Sequence, residues 1–314
     1  MAQDIGRVHV IRHLIEKSRD RKIKKMIEKM MPILLVLAAS VCIATTFGIL
    51  FTLVFETFEF FQRVSIIEYF FGTEWYPFSS GNPSFGVLPL IMGTLKVTII
   101  AMIVAVPFGL AVAIYLSEYA SGRTRKFIKP VLEILAGVPT IVYGFFALTF
   151  VTPILQIFIP SLKLFNAISP GIVVGMMILP SIISLSEDAM NAVPNAIREG
   201  ALALGATKLE VALKVVLPAA FSGIIASIVL AISRAIGETM IVTLAGGAMP
   251  SFDFSVTGSI QTMTAYIVQV SSGDAGYGTA IYYSMYAVGF TLFIFTLLMN
   301  FIAHKISKRF REEY

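Results

Sequence analysis

Charged residues are scarce in this sequence of 314 residues. Asp, Glu, Lys and Arg together make up 14% of it, and hydrophobic residues make up 57%. An average globular domain has about 25% charged and about 45–50% apolar residues. So few charges cannot cover the surface of a water-soluble protein of this length. We therefore expect lipid to be the solvent around most of the chain.

Cysteine and histidine are almost absent as well. Cys42 is the one cysteine, which excludes a disulfide framework and any metal site built from several cysteines. Three histidines leave little for metal binding or acid–base chemistry. The sequence also lacks the Gly-x-x-x-x-Gly-Lys-Ser/Thr phosphate loop, and it does not contain even a Gly-Lys pair. We therefore predict that this chain is not itself an enzyme and that any ATP is hydrolysed by another chain.

Long uncharged windows predict six transmembrane helices. A helix needs about 20 residues to cross the hydrocarbon layer, and a charge at its centre costs about 2.5–3.5 kcal/mol. Five windows of at least 21 residues contain no charge, and a sixth apolar stretch contains only Arg234 and Glu238. In chain order the six are 32–55, 97–117, 134–162, 164–186, 215–252 and 275–303. Because backbone groups in lipid must bond to one another, we expect an all-α fold.

The positive charges predict the orientation of the chain. Of the 24 lysine and arginine residues, twenty lie in segments 1–30, 118–130, 190–217 and 304–314. The alternate segments between predicted spans contain only Arg63 and Lys163. Lysine and arginine accumulate on the cytoplasmic side of membrane proteins. Both termini are therefore predicted to be cytoplasmic, and the net charge of +5 reflects topology rather than binding of nucleic acid.

The same pattern divides the chain into segments. Residues 1–30 form a basic cytoplasmic segment, which is either an amphipathic helix on anionic lipid headgroups or a solvated tail. The segments that follow are the first transmembrane helix at 31–58, an extracytoplasmic loop at 59–87, the remaining membrane core at 88–304 and a basic cytoplasmic tail at 305–314.

The predicted cytoplasmic loop at residues 194–218 has the pattern of two helices joined by a tight turn. Pro194 suits a helix start, and Gly205 is the usual kind of residue just after a helix end. Thr207 and Glu210 have the spacing of a capping box that begins a second helix. Its apolar residues Ala201, Leu204 and Ala206 are predicted to protrude and to insert into a groove of another protein. The alternative is a short interfacial helix that only links two spans.

This loop resembles the EAA loop of ABC-importer permeases. The matching pattern is Glu199-Gly-Ala-x-x-x-Gly205, followed after nine residues by Val215-x-Leu217-Pro218. Gly200 replaces the usual alanine, and Val215 replaces the usual isoleucine. Four more segments resemble the phosphate-specific branch in the same order: Gly86-Val-Leu-Pro-Leu-Ile-Met-Gly-Thr-Leu95, Ala136-Gly-Val-Pro-Thr-Ile-Val-Tyr-Gly144, Leu179-Pro-Ser-Ile-Ile-Ser-Leu-Ser-Glu-Asp188 and Ser233-Arg-Ala-Ile-Gly-Glu-Thr239. Residues 73–77 resemble the PstC-type subunit rather than its sister permease.

The resemblance implies a type I ABC-importer permease fold and a role in phosphate import across the cell membrane. It implies a heterodimer with a sister permease, two ATPase subunits that use ATP and magnesium, and an extracytoplasmic phosphate-binding protein. The implied ATPase-coupling residues are Glu199, Gly200, Ala201, Leu204, Gly205 and Ala206. One alternative is the same architecture moving sulfate or molybdate. Another is an ion-coupled secondary carrier, although the inverted repeats frequent in such carriers are not found.

Three charged groups in or beside the predicted spans are candidates for the substrate pathway. Arg234 and Glu238 lie four residues apart and would share one face of a continuous helix. A guanidinium can fork onto phosphate oxygens, so we predict an anion site at Arg234, Glu238 and Thr239. A purely structural ion pair is the alternative. Lys96, roughly 10 Å inside the outer face, either lines the same pathway or extends to the headgroups.

Overall fold

The computed structural model describes the backbone of residues 2–79 and 81–309, and the side chains of 28–79, 81–273, 275–302 and 305. The chain divides into two units, residues 1–55 and 56–314. Most side chains of the predicted basic segments 1–30 and 305–314 therefore lie outside the described residues. In the first unit, helix α1 (Ala2–Phe61) begins, and its side chains at 28–49 are all exposed. An apolar surface of this kind suits contact with lipid.

Between the first and second spans, short elements form a compact aromatic cluster. They are α2 (Ile66–Phe71), β1 (Trp75–Tyr76) and β2 (Ser84–Phe85), and the two strands pair antiparallel. The predicted extracytoplasmic loop at 59–87 is thus ordered by packing. Trp75 is buried and makes an edge-to-face contact with Tyr266, with 4.8 Å between the ring centroids.

The middle of the chain is a series of apolar helices. Helix α3 (Leu88–Ile114) continues as a π-helical turn to Tyr119. The amphipathic helix α4 (Gly122–Gly137) comes next. A second π-helical turn then joins α5 (Thr140–Phe146) to α6 (Thr152–Phe158), and together they form one continuous apolar helix. Helix α7 (Ile168–Asn191) follows. It crosses α3 so closely that a Cβ atom on Gly175 would lie only 2.9 Å from the carbonyl oxygen of Ala101. The absence of a side chain on Gly175 permits this approach.

The last part of the chain begins with the loop at 194–218, which contains α8 (Asn195–Ala203), α9 (Lys208–Val211) and α10 (Leu217–Ala219). The apolar helix α11 (Phe221–Ile236) then leads into the short α12 (Met240–Ala245). The remaining helices are α13 (Met263–Gln269) and α14 (Ala280–Arg309).

The prediction of an all-α membrane protein is confirmed. Five helices of the described chain are long and apolar enough to cross a membrane. The segments Lys208–Ala219 and Phe221–Ile236 meet at an angle of 71°, and the count rises to six when this bent pair is taken as one span. The largest buried cluster lies between α3, α5, α7, α11 and α12, so these five helices form the core in which the candidate site is built.

The predicted span boundaries differ from the structure. The first two spans are longer than predicted, at Glu28–Phe61 and Leu88–Tyr119, and the predicted fifth span at 215–252 is wrong as one continuous helix, because the chain breaks after Ala219 and again after Ile236.

Three other boundaries have local explanations. The third span begins at Thr140 rather than at 134, because Pro139 holds Val138 in an extended conformation and ends α4. The fourth extends beyond 186 because cationic side chains lie beside Glu187. The sixth begins at Ala280 rather than at 275, after a turn at Gly278 with φ of +79°.

Candidate functional site

Arg234 lies in the last turn of the apolar helix α11, and its side chain is exposed on this chain. Its Nη1 atom donates a hydrogen bond to the Ser181 hydroxyl of α7 at 3.1 Å. Among the described residues, no carboxylate forms an ion pair with this guanidinium. A guanidinium has five N–H donors. Most of the donor capacity of Arg234 is therefore available to a ligand.

Glu238 does not lie on the same helix as Arg234, so the predicted arrangement of both residues on one helical face is wrong. Helix α11 ends at Ile236, and α12 begins at Met240. Gly237, Glu238 and Thr239 form the break between the two helices. A glycine inside an apolar helix costs about 1 kcal/mol relative to alanine, and here Gly237 marks the helix end.

The break is stabilised by hydrogen bonds from Glu238 itself. Its buried carboxylate accepts a bond from the backbone N–H of Ile241 at 3.2 Å, which satisfies a free donor at the start of α12. Its carbonyl accepts a bond from the Thr264 hydroxyl at 2.7 Å. Thr239 bonds back to the Gly237 carbonyl at 3.1 Å. Glu238 and Thr239 therefore shape the backbone just after Arg234, and the Arg234 guanidinium stays uncompensated.

Lys96 is buried in α3 and does not extend to the surface. Its ammonium donates to the Asp253 carboxylate at 2.9 Å and to the Ser255 carbonyl at 2.8 Å. The Lys96 side chain is 6% exposed, whereas that of Asp253 is 55% exposed. No contact among the described residues joins Lys96 to Arg234. The structure thus places the two cations in separate environments, and Lys96 holds the segment between α12 and α13 against α3.

The loop at 194–218 folds as its sequence predicts. Helix α8 ends before Gly205, which has φ of +90°, a conformation that favours glycine. The Thr207 hydroxyl accepts a bond from the Glu210 N–H, and the Glu210 carboxylate accepts one from the Thr207 N–H. Both halves of the capping box are therefore present.

The apolar tip of this loop differs in part from the prediction. Leu204 protrudes as expected and is 91% exposed. Ala201 and Ala206 instead pack against a buried cluster that includes Met190, Val193 and Val211. The exposed apolar tip is formed by Leu204 together with Leu202 and Ala203. Glu199 and Gly200 are exposed on the same helix.

Several polar partners were not identified from the sequence. Ser181 belongs to a motif noted above, but no contact with Arg234 was assigned to it. Asp253 lies between α12 and α13, 157 residues from Lys96 in the sequence, and no sequence signal linked the two. Glu118 and Glu187 directly follow the uncharged windows 97–117 and 164–186. This position at the end of a predicted span was the available signal that each carboxylate needs a partner. Within the described part of the chain, no group of three or more His, Cys, Asp or Glu side chains is arranged to hold a metal ion.

Residues 105–312 match the family described as "Binding-protein-dependent transport system inner membrane component". The "Probable ABC transporter permease protein YqgH" of Bacillus subtilis (strain 168) is 33% identical over 306 residues, which cover 96% of each protein. The "Phosphate transport system permease protein PstC" of Xylella fastidiosa (strain 9a5c) is 33% identical over 257 residues, 76% of this chain and 77% of that protein.

The fold is similar to chains of two solved ABC transporters. One is a bacterial alginate ABC transporter in complex with an alginate pentasaccharide-bound periplasmic protein, with a TM-score of 0.60 and 16% identity. The match covers 87% of this chain and 94% of that chain. The other is the MetNI methionine ABC transporter in an inward-facing conformation, with a TM-score of 0.53 and 17% identity. The match covers 72% of this chain and 95% of that chain. At such identities the similarity shows the fold alone.

The ion pair of Lys96 and Asp253 gives a prediction for stability against pH. The hydrogen bond from Lys96 is the main cause that lowers the pKa of the Asp253 carboxyl below its ordinary value. The pair therefore stabilises the fold above about pH 4, and this contribution is lost as the pH falls through the lowered pKa. Asp253→Asn should lower the free energy of unfolding by about 1 kcal/mol at pH 7, because Asp253 is half exposed.

The measurement is thermal unfolding of the purified protein in detergent at pH 7 and pH 3. The difference between the unmodified protein and Asp253→Asn should be present at pH 7 and should vanish at pH 3. Asp188→Asn is the control, since Asp188 is exposed and forms no ion pair within the described residues. A difference between the two proteins that is equally large at both pH values would contradict the prediction.

Proposed function

Because this chain belongs to the family of binding-protein-dependent transport system inner membrane components, we propose that it is a permease subunit of an ATP-driven phosphate importer. It forms part of the path by which inorganic phosphate crosses the cell membrane. Relatives named as phosphate transport system permeases, each covering about three quarters of this chain, support phosphate as the substrate.

The observation that carries this proposal is the uncompensated guanidinium of Arg234 at a helix break. The guanidinium is exposed on this chain, at the end of an apolar helix, and a cation at membrane depth is costly unless an anion or a polar cavity meets it. Phosphate presents several acceptor oxygens, and a guanidinium can donate two parallel N–H bonds to two of them. Ser181 fixes one edge of the guanidinium through Nη1. The other donors are then free to bind phosphate as it passes.

Glu238 and Thr239 assist Arg234 through the backbone in this proposal. Because the carboxylate of Glu238 binds the first turn of α12, it keeps α12 separate from α11 and leaves Arg234 at a helix end. For Glu238 to weaken the contact between Arg234 and the anion, a rearrangement of the bundle would have to free its carboxylate from the Ile241 N–H. Lys96 is assigned to the substrate pathway at its outer end, where Asp253 neutralises it in the absence of substrate.

The loop at 194–218 is proposed to be cytoplasmic, in agreement with the basic segments that share its side. Its exposed Leu204 inserts into a groove of an ATPase subunit, and that subunit binds ATP and magnesium and hydrolyses the ATP. Two such subunits, a sister permease in a heterodimer, and an extracytoplasmic phosphate-binding protein complete the importer. Membrane lipid surrounds the exposed apolar helices, and both termini are cytoplasmic.

Sulfate and molybdate would form similar bonds to a guanidinium, so Arg234 alone does not distinguish these anions. No contact in the structure favours either of them over phosphate, and the named relatives favour phosphate. A secondary carrier is not favoured either, because the family to which the chain belongs depends on binding proteins.

Substitution of Leu204 tests the docking of the loop. Leu204→Asp should reduce copurification of the ATPase subunit and phosphate-stimulated ATP hydrolysis by about tenfold or more, since a carboxylate is costly in an apolar groove. The side chain is almost fully exposed in this chain, so the membrane spans should still insert. Lys214→Gln, in the same loop but away from the tip, is the control. Normal copurification with normal stimulated hydrolysis in Leu204→Asp would rule out docking through this residue.

Substitution of Arg234 tests the anion site. Arg234→Gln should lower phosphate uptake by roughly tenfold to a hundredfold, the effect expected from losing charge-assisted hydrogen bonds. Arg234→Lys keeps the charge but loses the fork, so its uptake should fall between that of Arg234→Gln and that of the unmodified protein. The measurement is uptake of phosphate into cells or vesicles, normalised to the amount of assembled complex.

Two further variants separate substrate binding from folding. Lys163→Gln removes an exposed positive charge elsewhere and should leave uptake unchanged. Glu238→Gln keeps an oxygen acceptor for the Ile241 N–H, so assembly should be nearly normal while turnover falls. The anion-site assignment is wrong if assembled Arg234→Gln complex transports phosphate at the normal rate, or if only its yield is reduced.

A further inference from the structure

Two buried carboxylates lie at the end of the bundle that carries the loop at 194–218. Glu118 follows α3, and Glu187 lies in the last turns of α7. Their side chains are 10% and 1% exposed, respectively. A carboxylate this deeply buried is stable as an anion only when cations and hydrogen-bond donors surround it. The groups that surround these two come from different helices.

Arg198 of helix α8 is the cation that compensates Glu118. The Nε atom of Arg198 lies 3.2 Å from the Glu118 carboxylate, and the Arg198 side chain is only 14% exposed. Its Nη2 atom donates to the Met190 carbonyl at 2.6 Å, and Nη1 donates to the Val193 carbonyl. Met190 belongs to the last turn of α7, where backbone carbonyls have no partner within the helix. A single side chain thus joins α8 to the ends of both α3 and α7.

Glu187 is held from the other side by helix α4. Lys129 Nζ lies 3.3 Å from the Glu187 carboxylate and Arg125 Nε lies 3.9 Å from it. Arg125 also donates to the carbonyls of Leu116 and Ser117 at 2.6 and 2.7 Å. Helix α4 is therefore fixed to both α3 and α7.

A pair of neutral side chains connects the two carboxylates. Asn191 donates to Glu187 at 3.3 Å, and its carbonyl oxygen lies 3.2 Å from the hydroxyl of Ser117. The same hydroxyl is 3.1 Å from Glu118. The ends of α3 and α7 and the helices α4 and α8 thus share one continuous polar junction, defined here as Glu118, Glu187, Arg198, Arg125 and Lys129.

Helix α7 leads from this junction to the proposed anion site. Ser181, which binds Arg234, precedes Met190 by nine residues on the same helix, or about 13 Å along its axis. A helix transmits displacement along its axis because its backbone bonds and its packing are stiff. If α8 moves, Arg198 requires the end of α7 to move with it, and the position of Ser181 against Arg234 changes.

We propose that Arg198 is the positioning residue that couples α8 to α7, so that a displacement imposed on the loop at 194–218 reaches Ser181 and Arg234. The inference rests on the proposed function, since it assumes an ATPase that moves this loop. Glu118 orients the Arg198 side chain. The hydrogen bonds from Arg198 to the Met190 and Val193 carbonyls then transmit a displacement of α8 to the end of α7. Because α4 is bonded to both α3 and α7, we expect the ends of α3 and α7 to move together when α8 is displaced.

The experiment measures how many ATP molecules are hydrolysed for each phosphate accumulated by the assembled complex in proteoliposomes. Arg198→Gln should raise this ratio about fivefold or more, the size of an ordinary coupling between sites. Arg198→Lys, which retains the charge beside Glu118 but cannot reach both carbonyls, should raise it less. Lys214→Gln is the matched control: its ion pair with Glu210 lies in the same loop but is exposed, so the ratio should not change.

A double variant keeps the test valid if Arg198→Gln fails to assemble. Arg198→Gln combined with Glu118→Gln removes the uncompensated buried charge, and its yield should recover. Because the bonds to α7 are still missing, the ratio of ATP to phosphate should remain high. Recovery of a normal ratio together with the yield would mean that Arg198 only stabilises the fold, and the inference would be wrong.

The same assay separates this inference from the function on which it depends. If the unmodified complex shows no ATP-driven accumulation of phosphate, the proposed function fails. If it accumulates phosphate and Arg198→Gln does so at an unchanged ratio, the function stands and only the coupling role of Arg198 is refuted.

Discussion

The cost of a charge in lipid is the constraint on which this structure depends. Lys96 is compensated by Asp253, Glu118 by Arg198, and Glu187 by the cations of α4. In each case the partners come from different segments, so the need for a counter-charge also fixes one element against another. Arg234 differs, because its hydrogen bond goes to a neutral hydroxyl. The proposed anion site rests on this difference, since Arg234 is exposed on this chain and its hydrogen-bond partner is uncharged.

The break at residues 237–239 makes this arrangement possible. In a continuous helix, Glu238 would lie one turn beyond Arg234 and could neutralise it. The break turns the Glu238 carboxylate to the start of α12, where it bonds with the Ile241 N–H. Irregular backbone in a membrane is stable only where protein or a polar cavity satisfies it. Here a carboxylate and the Thr264 hydroxyl satisfy it, so the structural demand of the break separates the two charges.

The sequence predicted the features that are set by local chemistry. The uncharged windows located the spans, and Thr207 with Glu210 located the start of α9, because both signals act within a few residues. The positions of Ala201 and Ala206 were not predictable in this way, since burial of a small side chain depends on which distant residues pack beside it. The partners of Lys96 and Arg234 were missed for the same reason: Asp253 is 157 residues from Lys96, and Ser181 is 53 residues from Arg234.

Transport by the purified complex shows whether this chain carries phosphate at the expense of ATP. The complex would be reconstituted in vesicles with its binding protein, and labelled phosphate taken up would be measured with and without ATP, and with excess sulfate or molybdate. The expectation for a phosphate importer is accumulation that requires ATP and that neither competing oxyanion suppresses. Accumulation driven by a proton or sodium gradient without ATP, or uptake abolished by sulfate or molybdate, would contradict it.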